Sequence, residues 1–185
     1  MAMSLRRAAA IACLLALVCG VAGAQKKRWR SKHTQPQELV FSPDDPAAGQ
    51  PAAIPDEVRQ ILASDEYVRS LLEEKKLTAQ KLPAAWFSAS RVHLGGKYED
   101  DLLVMGAGPV MGANATTFWI FCPTPHGYTQ ALKVSTHTLV VKDARWKGAK
   151  ELEAQSATSA EVFRVSYRYD GLEYKSYKEA SEPLR

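Results

Sequence analysis

Residues 101–122 read DLLVMGAGPVMGANATTFWIFC and contain two short apolar runs, Leu102–Met105 and Phe118–Cys122. Gly, Pro, Ala and Asn residues separate the two runs. Short apolar runs divided by turn-forming residues are typical of β-strands joined by loops. Because this pattern continues from Pro83 to Tyr177, it predicts an antiparallel β meander.

Eight segments fit the strand pattern. They are residues 86–94, 101–105, 117–122, 129–134, 138–142, 151–155, 161–169 and 173–177. The Asp170-Gly171 pair favours a tight hairpin between the last two strands. We therefore predict a mainly β domain over residues 83–178, folded as a sandwich or an open barrel, and a C-terminal tail over residues 179–185.

The helical segment precedes this domain at residues 55–82. Pro55 suits a first helical turn, and apolar residues recur at three-to-four spacing from Val58 to Leu72. Ser64 or Asp65 is suited to cap a second helix and so divide the segment in two. The apolar stripe predicts that the segment packs on a sheet.

Residues 1–24 have the pattern of a secretory signal peptide. Arg6 and Arg7 precede an apolar run, and Ala22-Gly23-Ala24 fits a cleavage site after Ala24. The pattern predicts an exported protein, periplasmic or secreted, without a stable membrane span, since the run is short for a bilayer. An uncleaved anchor and a lipoprotein through Cys19 are the alternatives, although the bulky Val18 fits a lipoprotein site poorly.

Residues 25–54 form a basic, proline-rich segment that we predict to be a disordered spacer. Five of its cations lie between Lys26 and Lys32, whereas residues 33–185 carry a formal net charge of −3. A nucleic-acid-binding fold needs a basic face. The mildly acidic domain therefore argues against a nucleic-acid partner. The overall composition, 46% hydrophobic and 24% charged, is that of a globular protein.

Motifs for catalysis, metal binding or cofactor binding are not recognisable in the sequence. The glycines of residues 106–112 are followed by a strand pattern rather than a helix, which argues against nucleotide binding. Cys122 is the only cysteine after residue 24, and its apolar neighbours indicate a buried thiol. We therefore assign no catalytic residue, metal ligand or cofactor.

Residues 87–133 and 137–178 form an internal repeat. Each copy contains a strand, a polar loop, a second strand, an aromatic strand and a Gly-containing turn followed by Tyr. In the second copy the loop begins at Asp143, continues through Gly148 and ends with Glu151 and Leu152, and in the first copy it ends with Asp101 and Leu102. At these positions the chain resembles the FG-GAP or VCBS-type repeat of integrin-like β-propellers, which implies two propeller-blade-like units.

The resemblance implies a calcium loop that has lost its ligands. The family places acidic ligands where this chain has Arg145 and Lys147 in one copy and Lys97 in the other. We hypothesise that each lysine replaces the ion, with Lys147 paired to Asp143 or Glu151, and Lys97 paired to Asp101. Ordinary exposed turn charges are the alternative. Because two blades do not close a propeller, the sheets must cover their faces by packing or by self-association.

Aromatic residues are the candidates for a binding role. We select Tyr128, Trp146, Tyr167 and Tyr169, because rings exposed on strands favour recognition of proteins or carbohydrates. Packing in the core or across strands is the alternative for these rings. The sequence thus predicts a noncatalytic binding or interaction module of the bacterial cell envelope, with an unidentified protein or an envelope polysaccharide as its partner. One alternative is an inhibitor or accessory subunit that inserts loop 106–116 into an enzyme, and another is an enzyme with an unrecognised site.

Calcium addition tests the loop hypothesis. If ammonium groups have replaced the ion, micromolar calcium leaves the melting temperature unchanged, because too few anionic oxygens remain to coordinate the cation. The measurement is thermal melting with calcium and with a chelator. A clear rise of the melting temperature at micromolar calcium contradicts the hypothesis.

Overall fold

The computed structural model describes residues 38–45, 49–95 and 101–184. The predicted signal peptide at residues 1–24, including Cys19, and the first part of the predicted spacer lie outside the described residues. The described chain contains ten strands, two α-helices and three short 3-10 helices.

The helices are α1 (Asp56–Ser64) and α2 (Glu66–Glu74), and the 3-10 helices are Ala79–Lys81, Ala84–Trp86 and Gly108–Val110. The strands are β1 (Leu39–Phe41), β2 (Gln50–Pro51), β3 (Phe87–Val92), β4 (Asp101–Gly106), β5 (Thr116–Thr124), β6 (Gly127–Thr136), β7 (Thr138–Trp146), β8 (Ala149–Ala157), β9 (Glu161–Tyr169) and β10 (Tyr174–Pro183).

The strands form two antiparallel five-stranded sheets. The inner sheet has the order β2-β3-β4-β5-β6, and the outer sheet has the order β1-β7-β8-β9-β10. This arrangement confirms the predicted fold class, and all eight predicted strands are present. Each sheet consists of one short strand followed by a four-stranded meander, so the two predicted repeat copies coincide with meanders of the same strand order. The resemblance to propeller repeats stays a prediction.

The central strands of the inner sheet are buried on both faces. All six residues of β4 are buried, and so are residues Thr116–Phe121 of β5. One face, including Leu103 and Ile120, packs with Leu139 and Leu152 of the outer sheet. The two sheets therefore form a sandwich around a shared core.

The other face of the inner sheet is covered by the two helices. Val104 and Trp119 share a second core with Leu62 of α1 and with Val68 and Leu72 of α2. The three-to-four spacing of these helical residues turns one apolar stripe toward the sheet. The molecule thus has three layers, with the helices on one side, the inner sheet in the middle and the outer sheet on the far side.

Asp65 separates the helices and attaches them to the inner sheet. Its carboxylate accepts hydrogen bonds from the backbone N–H groups of Tyr67 and Val68, which caps α2 and confirms the predicted division of the helical segment. The same carboxylate forms an ion pair with Lys133 at 2.6 Å and accepts a 3.4 Å hydrogen bond from the indole of Trp119. One acidic side chain therefore connects α2 with β5 and β6.

Two predicted boundaries differ from the structure. The predicted spacer, residues 25–54, includes β1 and β2, because Phe41 is only 1% exposed and its ring joins the core between the sheets. The predicted tail, residues 179–185, supplies the second half of β10, which pairs with β9 as far as Pro183. Both segments have polar or proline-rich sequences, and pairing with an adjacent strand orders them.

The described helices are short. None of them has the length and apolar character that crossing a membrane requires.

Substitutions in the helices test how much their apolar stripe stabilises the fold. Leu62→Ala and Leu72→Ala are each expected to lower the free energy of unfolding by about 2–5 kcal/mol, because both side chains are buried against the inner sheet. Urea denaturation followed by circular dichroism measures the change. Ser70→Ala, at an exposed position of α2, is the control and should change the free energy little. Equal effects of all three substitutions would contradict this packing.

Candidate functional site

The outer face of the outer sheet, which points away from the inner sheet, carries a network of ion pairs. Glu153 of β8 pairs with Lys142 at 2.9 Å, and Arg164 of β9 pairs with Glu182 of β10 at 2.7 Å. Apolar residues of the same strands alternate with these and face the inner sheet. The outer face is thus the polar side of an amphipathic sheet.

The hairpin between β7 and β8 ends in an irregular turn. The register shifts between Val141 and Arg145, so β7 has extra residues opposite β8 and bends there. Lys147 and Gly148 form the turn with φ angles of 49° and 89°, the left-handed backbone that tight hairpins require. This local geometry places Trp146 at the tip of the hairpin, where its side chain is 42% exposed.

Three side chains stack at this end of the outer face. The guanidinium carbon of Arg168 lies 4.4 Å from the ring centroid of Trp146 and 3.7 Å from that of Tyr177. These distances are within the range of cation–π attraction. Trp146, Arg168 and Tyr177 come from β7, β9 and β10, and we call them the stacked surface.

Glu151 on β8 contacts two members of the stacked surface, Arg168 and Tyr177. Its carboxylate accepts a 2.7 Å hydrogen bond from Nε of Arg168 and another of 2.7 Å from the hydroxyl of Tyr177. Burial opposes ionisation of Glu151, but the hydrogen bonds from Tyr177 and Arg168 outweigh it and lower the pKa of the carboxyl group. The ionised carboxylate therefore fixes the positions of both side chains.

The four predicted aromatic candidates lie in different places. Trp146 is exposed on the outer face, whereas Tyr167 and Tyr169 are partly buried and pack against the core between the sheets. Tyr128 is partly buried against the core under the helices. The structure therefore does not bring these four residues together as one surface.

Arg168 and Tyr177 were not predicted as site residues. Strand alternation places Arg168 on the opposite face from its neighbours Tyr167 and Tyr169, and this signal is present in the sequence. The contact with Tyr177 depends on the pairing of β9 with β10, in which Tyr177 is the extra residue of a bulge. Single-strand patterns do not predict such a bulge.

The predicted lysine pairs of the degenerate loops differ from the observed ones. Asp143 pairs with Lys150 at 3.1 Å and Glu151 pairs with Arg168, so the predicted pairing of Lys147 with either carboxylate is wrong. Lys147 instead has its ammonium group 6.0 Å from the ring centroid of Trp146. Both carboxylates therefore already have other cationic partners, and Lys147 lies beside the indole instead.

Of the other predicted pair, Lys97 with Asp101, the structure describes only Asp101, because Lys97 lies outside the described residues. Asp101 is 3% exposed, and its carboxylate accepts a 3.1 Å hydrogen bond from the backbone N–H of Leu94. Across the described ranges, no group of three or more His, Cys, Asp and Glu side chains is arranged to hold a metal ion.

A cavity of about 310 Å³ opens between the sheets at the end where the β5–β6 and β9–β10 turns meet. Its walls are mainly apolar and include Leu94, Cys122 and Leu172, with Asp101 and Tyr174 as polar members. Burial, followed by the charge and hydrogen bond of Asp101, raises the pKa of the Cys122 thiol. The thiol therefore stays protonated at neutral pH and is poorly suited to act as a nucleophile.

Comparisons with family models, with curated proteins and with solved structures gave no match to this chain.

The pH dependence of stability tests the role of Glu151. Because its folded-state pKa lies below the ordinary value of 4.5, the ionised group stabilises the fold above that pH and loses this effect as pH falls through the folded-state pKa. Wild type should therefore be more stable than Glu151→Gln at pH 7, and the difference should shrink as the pH falls below 4.5. Urea unfolding at a series of pH values measures it.

Glu179→Gln is the control for this measurement, because Glu179 is exposed on β10. Its stability relative to wild type should change little over the same pH range. A difference between wild type and Glu151→Gln that is constant from neutral to acidic pH would contradict the assigned role.

Proposed function

We propose that this protein is a noncatalytic binding module of the bacterial cell envelope and that a protein partner docks on the stacked surface. The observation that carries this proposal is the guanidinium of Arg168 between two exposed rings, Trp146 and Tyr177, each 42% exposed. This stack lies on the one sheet face that neither the helices nor the other sheet cover in the described structure.

The residue types of the stacked surface favour protein recognition. Trp, Tyr and Arg are enriched among the few interface residues that supply most of the binding free energy. Glu151 and the ring contacts already order the long side chain of Arg168, so a partner loses less side-chain entropy on binding than it would with a free arginine. The stacked surface is therefore preorganised.

The orientation of the rings favours a protein over a polysaccharide. Sugars usually bind to aromatic residues through a free ring face, whereas here the guanidinium of Arg168 covers one face of each ring. The two exposed rings and the charged side chains around them suit the mixed apolar and polar contacts of a protein interface. An envelope polysaccharide is the second candidate within the same proposal.

Placement in the envelope rests on the sequence. Residues 1–24 have the charged, apolar and small-residue regions of an export signal, and the proposal takes cleavage to follow Ala24. The basic residues 26–32 come directly after it.

The alternative of an inhibitory loop is supported less by its geometry. Val110 in loop 106–116 is 1% exposed, and the hydroxyl of Tyr67 donates a hydrogen bond to the carbonyl of Pro109. Half of the loop is therefore attached to α2 and to the core beneath it. Residues 111–114 form a short exposed tip beyond this attachment, which limits how far the loop can enter a partner enzyme.

Affinity capture with matched variants tests the proposal. Three proteins are immobilised and exposed to envelope proteins of the source bacterium. They are wild type, a double variant that combines Trp146→Ala with Tyr177→Ala, and the single variant Met111→Ala. We expect a protein that wild type and Met111→Ala retain and that the double variant binds at least about tenfold more weakly, the effect of roughly 1.4 kcal/mol. Purified components then give the affinities by calorimetry.

The control variant also separates the alternatives. Met111 lies in the exposed part of loop 106–116 and is 43% exposed, close to the exposure of the two substituted rings. Loss of binding with Met111→Ala alone would favour the inhibitor model over the stacked surface. Sedimentation with isolated cell-wall polysaccharide that depends on Trp146 would favour the polysaccharide partner.

A further inference from the structure

Strand β10 forms an open edge of the outer sheet. Its ten residues, Tyr174–Pro183, pair with β9 and with no other strand of the described residues, and every residue of the strand after Tyr174 is exposed. The opposite edge of the same sheet is β1, which has three residues. A long exposed edge presents unpaired backbone N–H and C=O groups that another strand is able to pair with.

The backbone groups that face this free edge follow from the pairing of β9 with β10. Leu184 N–H donates a 2.8 Å hydrogen bond to Ala160 C=O, which fixes the alternation of the antiparallel ladder. Ala180, four residues before Leu184, therefore directs its backbone groups toward β9. Glu179 and Ser181 consequently direct theirs away from β9, toward the free edge.

The side chains along this half of β10 are complementary to themselves. Lys178, Ala180 and Glu182 lie on the outer face, as the 2.7 Å ion pair between Glu182 and Arg164 shows. If a second β10 pairs antiparallel with Ala180 opposite Ala180, each Lys178 stands opposite the Glu182 of the other copy. The two-fold symmetry of such a pair produces this contact twice.

The small side chain at the centre also fits. Directly opposed residues of an antiparallel pair have Cβ atoms about 4.5–5.5 Å apart, and two alanines fit at this separation without a clash. On the other face, Glu179 stands opposite Ser181, so like charges do not meet. An edge that carries charges of one sign repels another copy, whereas this edge carries both signs in an order that attracts one.

We propose that β10 is a homodimerisation edge and that its occupant is the β10 strand of a second copy of this chain. The two outer sheets then form one continuous ten-stranded antiparallel sheet, and the two-fold axis passes between the two Ala180 residues. The backbone groups of Glu179 and Ser181 form the central hydrogen bonds between the copies. The ion pair of Glu182 with Arg164 extends to Lys178 of the second copy.

Ser181→Pro tests the backbone part of the proposal. Because the N–H of Ser181 points to the free edge, proline at this position leaves the pairing with β9 intact, as Pro183 does two residues later in the same phase. The substitution removes the donor that the second copy needs. We expect wild type to be a dimer with a dissociation constant of about 1 μM and Ser181→Pro to be a monomer, as measured by analytical ultracentrifugation. The two proteins should have the same melting temperature at concentrations well below that constant, where wild type is also monomeric, and wild type should melt higher above it.

Charge exchange tests the register. Lys178→Glu and Glu182→Lys each place like charges opposite one another in the homodimer, so each variant alone should dimerise about tenfold or more weakly. A mixture of the two variants restores opposite charges at both contacts and should form the heterodimer. Sedimentation velocity of the separate and mixed variants, with one of them fluorescently labelled, measures this.

Three results would overturn the proposal. They are a wild-type chain that is monomeric at about 0.1 mM, a Ser181→Pro variant that stays dimeric, and a mixture of the charge variants that dimerises no better than either alone. Trp146 is on β7, away from the paired half of β10, so Trp146→Ala should leave the dimer unchanged. Failure of the dimer and failure of the proposed binding function are therefore distinguishable.

Discussion

The inner sheet must be covered on both faces, and the rest of the fold follows from this constraint. Its central strands β4 and β5 are buried on both sides, whereas most antiparallel sheets leave one side to water. Water contact with the face that carries Trp119 would cost about 1.5–3 kcal/mol for each large apolar side chain. The helices and the outer sheet each cover one face, and Asp65 attaches the helical cover to β5 and β6.

This three-layer order determines where the protein is able to bind a large partner. The helices present their polar side to solvent, and within the described residues the central strands of the inner sheet are buried on both faces. The outer sheet keeps one apolar side for the core and one charged side for water, and the stacked surface lies on that charged side. Because the ring contacts and Glu151 order Arg168 before any partner arrives, the geometry of this surface is already fixed by the sheet beneath it.

The sequence predicts the fold well where the pattern is local. Apolar runs between turn residues locate all eight meander strands, and Asp65 predicts the break between the helices. The spacer and tail were predicted incorrectly because Leu39–Phe41 is ordered by pairing with β7, which is distant in sequence, and the polar end of β10 is ordered by pairing with the preceding strand β9. For the candidate site, Trp146 was predicted, whereas the contacts of Arg168 depend on strand register and a bulge at Tyr177, which local patterns do not encode.

The short strand β1 has a consequence for the size of any assembly. Leu39–Phe41 occupies the far edge of the outer sheet and pairs there with the first part of β7, at Leu139–Val141. The Phe41 ring is buried in the core between the sheets. This anchors β1, so a strand from another molecule does not readily displace it from β7. A sheet with one long edge strand and one short edge strand pairs with another molecule on one side only. This favours closed dimers over open-ended filaments.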